Sequence, residues 1–274
     1  MKIPTIIKQE PLVVEAGVSK LARVWFARNP LPVLLKEPVQ FWNQNFIANE
    51  AHLLGGISHP HVRRRLLYDA LTHRLFLEFV EATTLQELVL SGATQQDPRR
   101  AHEILQSVAE TMADLHEGIW CDRPVVHNDL KSLNVLVPTA RAGGAVLIDF
   151  SHSYFEGQMP PFIADHQHNP TGTIKYMAPE KWDGDLEHGR QSDVFAFGVL
   201  AYYAYTGRFP FEGDANEVAQ QAHAATPPTP IQLGLNVLRN MQAVMMSCLE
   251  KQPNRRPSME QVARCYAETA NLLK

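Results

Sequence analysis

Four polar residues near the middle of the chain have types and spacings that could carry out chemistry. Asp129 lies five residues before Asn134 with Lys131 between them, and Asp149 ends a short apolar run. Carboxylate and amide oxygens suit Mg²⁺, which commonly takes one or two protein ligands and completes its shell with phosphate oxygens. A second carboxylate can accept a hydroxyl proton, and a lysine can neutralise a transferring phosphate. The spacing therefore predicts phosphoryl transfer.

Short apolar runs would position these groups. Residues 135–137 and 146–148 are apolar and are separated by Pro138 and two glycines, which predicts a buried hairpin. Up to about residue 80 the chain contains short β-branched runs at 12–14, 23–26, 33–35, 66–68 and 75–79. One helical pattern, at 41–54, interrupts them. This half is predicted to be rich in strands, with a single helix.

Beyond residue 85 the apolar periodicity is mainly helical. Asp97 is a good N-cap and Pro98 suits the first helical position, so a helix should begin there. Further helices are predicted at 193–206, 237–249 and 258–273. Residues 151–175 lack periodicity and are predicted to form a long loop, which in a compact domain usually has a function.

Composition excludes several classes of protein. The chain has 274 residues, of which 45% are apolar and 20% charged, as in ordinary globular proteins. Its net charge of −4 contains no long block of one sign, which argues against a nucleic-acid partner. Three widely spaced cysteines without a CxxC pair favour reduced thiols. No apolar run is long enough to span a membrane, so a cytoplasmic location is expected.

Three motifs in order resemble those of the eukaryotic-type protein kinase family, whose patterns are H-R-D-x-x-x-x-N, D-F-G and A-P-E. Here they are His-Asn-Asp at 127–129 with Asn134, Asp-Phe-Ser at 149–151, and Ala-Pro-Glu at 178–180. Upstream, residues 33–36 resemble the strand that ends in the phosphate-binding lysine. Downstream, residues 192–198 resemble the central buried helix, and Arg256 resembles the late arginine that pairs with Glu180.

The resemblance covers nearly the whole chain and implies a fold. That fold is α+β and bilobal, with a small antiparallel β lobe that contains one helix and a larger, mainly helical lobe. The prediction is one protein kinase domain over residues 1–274, with the N-lobe at about 1–80 and the C-lobe at about 81–274.

The resemblance also implies catalytic roles. Asp129 would orient and deprotonate the substrate hydroxyl, and Lys131 would stabilise the transferring γ-phosphate of ATP. Lys36, held by Glu50, would position the α- and β-phosphates. The residues implied as Mg²⁺ ligands are Asn134 and Asp149.

A nucleotide pocket follows from the same resemblance. Val24, Leu34 and Leu136 would sandwich the adenine, and Leu77 occupies the gatekeeper position. The backbones of Glu78 and Val80 would bond its edge, and the glycine-rich loop would contribute Gly17 and Val18.

The substrate class is likewise implied. Lys131, two residues after Asp129, and Gly172-Thr173 ahead of residues 176–180 are similar to the pattern of serine/threonine kinases. Thr173 would bond Asp129 and Lys131. The leading hypothesis is an ATP- and Mg²⁺-dependent protein serine/threonine kinase, acting on protein substrates.

The chain departs from the family pattern in four places. The glycine-rich loop at 17–24 keeps only its first glycine, and Leu34 stands where the family usually has alanine. Ser151 replaces the glycine of D-F-G, and Asn128 replaces the arginine of H-R-D. Asparagine cannot make the charge-assisted pair that a phosphate requires. The activation segment, residues 149–180, is therefore predicted to be ordered by its own packing or by a regulatory protein partner, without phosphorylation.

Two alternatives remain open. The altered glycine loop and Leu34 favour a pseudokinase that acts as a nucleotide-binding or scaffolding module. The H-x-D-x-x-x-x-N arrangement is shared with small-molecule phosphotransferases of the aminoglycoside-kinase kind, although residues 172–173 and 178–180 favour a peptide platform. His127 is expected to pack against Phe150 and to have no catalytic role.

Overall fold

The structure is a computed structural model. It describes residues 5–15, 19–27, 29–121, 123–139, 144–158, 173–184, 189–235 and 237–270. The predicted glycine-loop residues Gly17 and Val18 lie outside the described residues, as do Gly172 and the predicted helix end at 271–273.

The N-terminal part of the chain is an antiparallel sheet of five strands in the order β1-β2-β3-β5-β4. The strands are β1 (Ile6–Glu15), β2 (Ser19–Phe26), β3 (Asn29–Pro38), β4 (Arg65–Asp69) and β5 (Arg74–Glu78). Both faces of β3 are covered, and residues 33–36 are all at most 4% exposed. This explains why its sequence is an unbroken apolar run and lacks the alternation of a half-exposed strand.

Among the described residues of this part of the chain, a single α-helix packs against the sheet. A 3₁₀ turn, Phe41–Asn43, leads into α1, Gln44–Gly55, which is capped by Gly56. Its buried face includes Ile47, Ala51, Leu53 and Leu54, as expected from the apolar spacing, and one charged residue, Glu50. The predicted strand-rich lobe with one helix is confirmed.

The C-terminal part is mainly helical. Its helices are α2 (Leu85–Leu90), α3 (Ala93–Gln96), α4 (Pro98–Glu117), α5 (Pro179–Trp182), α6 (Gly189–Thr206), α7 (Ala215–Ala224), α8 (Arg239–Cys248) and α9 (Met259–Ala270). The Asp97 carboxylate caps α4 by accepting a hydrogen bond from the Arg100 amide at 3.0 Å. Helix α6 is buried from residue 192 to 205 and forms the centre of this lobe. The bilobal α+β prediction is therefore confirmed.

Short strands carry the polar motifs. The predicted hairpin consists of β8 (Val135–Pro138) and β9 (Val146–Leu147), and β6 (Ala82–Thr84) extends it. The long loop predicted at 151–175 is wrong at its start, and its residues 159–172 lie outside the described residues. At its start, β10 (Tyr154–Phe155) pairs with β7 (Val125–Val126), and two-residue strands are too short to leave a period in the sequence. In the described part of the chain, no helix is long and apolar enough to cross a membrane.

Candidate active site

A buried lysine joins the two lobes. Lys36 Nζ lies 2.9 Å from Glu50 Oε2 and 3.0 Å from Asp149 Oδ1. Strand β3 carries Lys36, α1 carries Glu50, and Asp149 follows β9, so three separate elements meet at one ammonium group. Lys36 and Glu50 are only 3% and 1% exposed. Two carboxylates against one ammonium leave the cluster with a net negative charge, which favours a further cation beside it.

Asp149 is held in an unusual backbone conformation. Its φ of 63° lies in the left-handed region, which few residues other than glycine adopt. The Ser151 hydroxyl donates to Asp149 Oδ1 at 2.7 Å, so the serine that replaces glycine adds a bond to this carboxylate. Burial would raise the pKa of Asp149, but the Lys36 charge and the Ser151 hydrogen bond outweigh it and hold that pKa well below its usual range. The carboxylate is ionised at neutral pH.

The Asp129 side chain is oriented by three neighbours. The backbone amide and the hydroxyl of Thr173 donate to Oδ1 at 3.1 and 2.9 Å. Lys131 Nζ donates to Oδ2 at 2.6 Å, and Asn134 Nδ2 donates to the same Oδ2 at 3.3 Å and to the Asp129 carbonyl at 2.8 Å. The predicted contact of Thr173 with Asp129 is thus present. A carboxylate fixed at both oxygens presents one orientation to whatever approaches it.

The metal candidates lie on neighbouring segments. The Ile148 amide donates to the Asn134 carbonyl at 3.0 Å, so the residue before Asp149 is bonded directly to Asn134. The Asn134 Nδ2 group is engaged with Asp129, which directs its Oδ1 away from that residue. The arrangement offers a metal one carboxylate and one amide oxygen, both hard donors.

His127 and Asp193 hold the backbone of the residues that precede Asp129. Asp193 on α6 accepts hydrogen bonds from the backbone amides of His127 and Asn128, both at 2.8 Å. The His127 ring lies 4.8 Å from the Phe150 ring, and burial lowers its pKa. The expected packing of His127 against Phe150 is confirmed.

A buried ion pair anchors the segment that contains Glu180. Arg256 makes a bidentate pair with Glu180, with Nη1–Oε1 at 2.6 Å and Nη2–Oε2 at 2.8 Å. The Ser192 hydroxyl also donates to Glu180, at 2.7 Å. The predicted pairing of Arg256 with Glu180 is present, and it holds the start of α5 against α6.

The predicted adenine residues fall into two groups. Leu34 is 4% exposed and pairs with Leu77 across β3 and β5, on the face of the sheet that carries Lys36, which we call the cleft face. Leu136 is 6% exposed and lies in a cluster with Val80. Glu78 donates its amide to the Arg64 carbonyl at 2.9 Å.

Val24 does not lie where adenine contact was predicted. It is fully buried with Ala22, Val33 and Phe76 on the face of the sheet opposite the cleft face. The register places Arg23 directly across from Leu34, and directly opposed residues share a face. The assignment of Val24 to the pocket is therefore corrected, because a shift of one residue moves a side chain to the other face.

Arg23 is a cleft-face residue that the sequence reasoning missed. Its guanidinium carbon lies 4.3 Å from the centroid of the Phe79 ring, a cation–π contact beside Glu78 and Val80. Asn49 and Lys181, which bond the segment after Asp149 and the loop before Asp129, were also missed. Alternation along β2 could have found Arg23, but no sequence signal marked the other two.

Comparisons with known proteins give a family match and several relatives. Residues 33–265 match the family model described as protein kinase domain. The chain is 32% identical over 214 residues to the serine/threonine-protein kinase pkn2 of Myxococcus xanthus, covering 76% of this chain and 25% of that protein. It is 24% identical over 209 residues to the serine/threonine-protein kinase PrkC of Bacillus subtilis, covering 74% and 30%. It is 29% identical over 225 residues to human mitogen-activated protein kinase kinase kinase 7, covering 78% and 34%. The chain thus spans about a quarter to a third of the length of these relatives.

Proposed function

The chain belongs to the protein kinase family, and on that premise we propose that it transfers the γ-phosphate of ATP to serine and threonine hydroxyls of protein substrates, with Mg²⁺ as the metal. The observation that carries this proposal is that two charged side chains, Lys36 and Asp129, are each held in a fixed position by their neighbours. Lys36 is held between Glu50 and Asp149, and Asp129 is oriented at both of its oxygens. Phosphoryl transfer requires little beyond such positioning and charge stabilisation.

Asp129 is the proposed catalytic base. Thr173 and Lys131 hold its two carboxylate oxygens, so the carboxylate meets a substrate hydroxyl in one orientation and accepts its proton. Lys131 keeps a positive charge next to this carboxylate and stabilises the negative charge of the transferring phosphate. Lys36, supported by Glu50, binds the α- and β-phosphates.

Asn134 and Asp149 fit a magnesium ion. Asp149 is ionised, as its lowered pKa indicates, and Asn134 supplies an amide oxygen. Hard oxygen donors of this kind, few in number, match the preference of Mg²⁺ for sites completed by phosphate oxygens. When bound, the metal neutralises charge on the ATP phosphates. Leu34 and Leu136 enclose the adenine from the two lobes, and the hinge at 78–80 bonds its edge.

Serine and threonine specificity is proposed from the contact between Thr173 and Asp129, at 2.9 Å, together with Lys131. This contact links the catalytic loop to the segment that precedes α5 and shapes the surface on which a substrate hydroxyl rests. Two of the relatives are named serine/threonine-protein kinases, which agrees with this choice.

A pseudokinase is the second candidate, and Arg23 favours it. The guanidinium lies over Phe79 beside the hinge, on the face where adenine would stack against Leu34. A side chain in that place competes with the base for space. A small-molecule phosphotransferase is less favoured. The match to the protein kinase family extends to residue 265 and so includes residues 178–180, which are proposed to help form the peptide-binding surface.

The deciding experiment is incubation with γ-labelled ATP and Mg²⁺, alone and with a generic protein substrate, beside Asp129→Ala. We expect labelled phosphoserine or phosphothreonine with the wild-type chain and none with the variant. Nucleotide binding without transfer would establish the pseudokinase, and label on small molecules alone would establish the third candidate. The single domain over 1–274, the cytoplasmic location, the absence of a nucleic-acid partner and the regulatory protein partner stay predictions.

A further inference from the structure

The side chain of Asn49 bridges the helix that carries Glu50 and the segment that follows Asp149. Its Nδ2 group donates to the Ser151 carbonyl at 3.0 Å and to the Ser153 carbonyl at 2.9 Å. Asn49 directly precedes Glu50 on α1, so its two hydrogen bonds tie this segment to the helix turn that carries the partner of Lys36.

Asn128 approaches the same segment from the other lobe. Its Nδ2 donates to the carbonyl of His152 at 3.0 Å, between the two carbonyls that Asn49 holds. Lys181 Nζ donates to Asn128 Oδ1 at 2.8 Å and to its carbonyl at 2.9 Å. The lysine therefore fixes which end of the amide faces His152, because an ammonium group can only donate.

Two residues beside these bonds have strained backbones. Asn128 and Asp149 have φ values of 65° and 63°, and such conformations persist only where the surrounding structure enforces them. The carbonyls of residues 151, 152 and 153 are each held by a carboxamide, and Phe150 donates its amide to Glu50 Oε1 at 3.3 Å. The backbone that follows Asp149 is thus tied to both lobes.

We propose that Asn49 and Asn128 are positioning residues whose carboxamides, here called the amide clamp, hold the backbone of residues 151–153 and so keep Glu50 and Asp149 at Lys36 without a phosphate on the activation segment. The clamp is neutral and its donors are satisfied by carbonyls, so it needs no anion to complete it. Lys181, the cation beside Asn128, already gives two hydrogen bonds to it. The inference rests on the proposed kinase function.

The test compares four variants after phosphatase treatment, with mass spectrometry to confirm that the activation segment is unmodified. Asn49→Asp has the same volume but replaces the donor with a negatively charged acceptor, Asn49→Gln keeps a carboxamide, and Asn128→Ala removes the opposite half of the clamp. Asn240→Ala is the control, because Asn240 is likewise an asparagine on a helix whose Nδ2 donates a hydrogen bond to another element, here to Thr269 Oγ1 on α9 at 2.6 Å.

We expect unphosphorylated wild type to be active and Asn49→Asp to lower kcat about 10-fold, the equivalent of one or two lost hydrogen bonds. The KM for the protein substrate should stay unchanged, and Asn49→Gln should recover part of the rate. The control should lower the melting temperature without changing kcat. Equal kcat in wild type, Asn49→Asp and Asn128→Ala, or a wild type that needs phosphorylation, would overturn the clamp.

Amide hydrogen exchange keeps the two proposals separate. Residues 149–158 should exchange faster in Asn49→Asp and Asn128→Ala than in wild type, whether or not the protein transfers phosphate. A wild type that transfers no phosphate either before or after phosphatase treatment would refute the proposed function, while unchanged exchange in both folded variants would refute the clamp. If Asn49→Asp fails to fold, the exchange and rate of Asn128→Ala decide the matter.

Discussion

Replacing Asp149 with asparagine is the sharpest perturbation of the proposed site. The substitution keeps the shape of the side chain but removes the negative charge that lies 3.0 Å from Lys36. It also changes a hard anionic metal ligand into a neutral one, at the residue proposed to hold Mg²⁺ beside Asn134. The structure therefore predicts a large loss of transfer with little loss of fold.

The size of each effect follows from the contacts. Leaving a buried charge unpaired usually costs about 3–5 kcal/mol of stability. Asp149→Asn should cost less than this, because Lys36 keeps its ion pair with Glu50 at 2.9 Å. The rate should fall by about 10²–10³ or more, since a group that stabilises transition-state charge is lost. Saturation with Mg²⁺ should also require a higher concentration.

The assay is the initial rate of transfer from γ-labelled ATP, measured over a range of Mg²⁺ concentrations, with circular dichroism as the check on folding. Glu37→Gln is the matched control, because Glu37 is the neighbour of Lys36 on β3 and pairs with Arg74 at 2.7 Å. That variant should keep its kcat. A folded Asp149→Asn variant with near-normal kcat and Mg²⁺ dependence would refute the assignment of Asp149.

Three other substitutions test the remaining structure. Arg256→Met should lower the free energy of unfolding by about 3–5 kcal/mol in denaturant titrations, because it leaves the Glu180 carboxylate buried without its cation; an unchanged midpoint would contradict this. Burial lowers the pKa of Lys251 to about 8 in the folded protein, whereas a lysine in the unfolded chain has a pKa of about 10.4. Between these two pH values the unfolded chain therefore holds more protons than the folded protein. The stability of wild type relative to Lys251→Met should therefore rise from pH 8 to 10 in thermal melts, and a constant difference would count against it. Arg23→Val should lower the Kd for ATP about 2- to 5-fold in calorimetry, because ATP would then bind without displacing Arg23 from its cation–π contact with Phe79. Weaker binding by the variant would show that Arg23 contacts the nucleotide.

Much of the fold could be predicted because it follows from local rules. The helix that begins after Asp97 is announced by an N-cap and by Pro98, and both occupy the predicted positions in the structure. The apolar run at 33–35 predicted a strand, which β3 is, and the structure shows that both of its faces are covered. The family resemblance predicted that Glu50 should hold Lys36, and the structure places the two 2.9 Å apart; the further contact of Lys36 with Asp149, at 3.0 Å, was not predicted.

Tertiary structure decided which face of the sheet a side chain occupies and which short strands pair with each other. Whether Val24 or Arg23 enters the cleft depends on the register of β2 against β3, which sets the face of the sheet that each of these neighbours occupies. The strand at Tyr154–Phe155 exists because it pairs with Val125–Val126, some 30 residues earlier in the chain. No local pattern encodes such a pairing, because two residues in extended form are stable only when a partner supplies their hydrogen bonds.

The amide clamp shows the same difference between what the sequence predicts and what tertiary structure decides. From the sequence, Asn128 was an arginine replacement that could not bind phosphate, and Asn49 was an ordinary polar residue before Glu50. Their shared target at residues 151–153 is visible only when α1 and the catalytic loop are packed on either side of that segment. Residue types determined that these amides could donate hydrogen bonds, and tertiary packing alone determined which carbonyls, distant in the chain, would accept them.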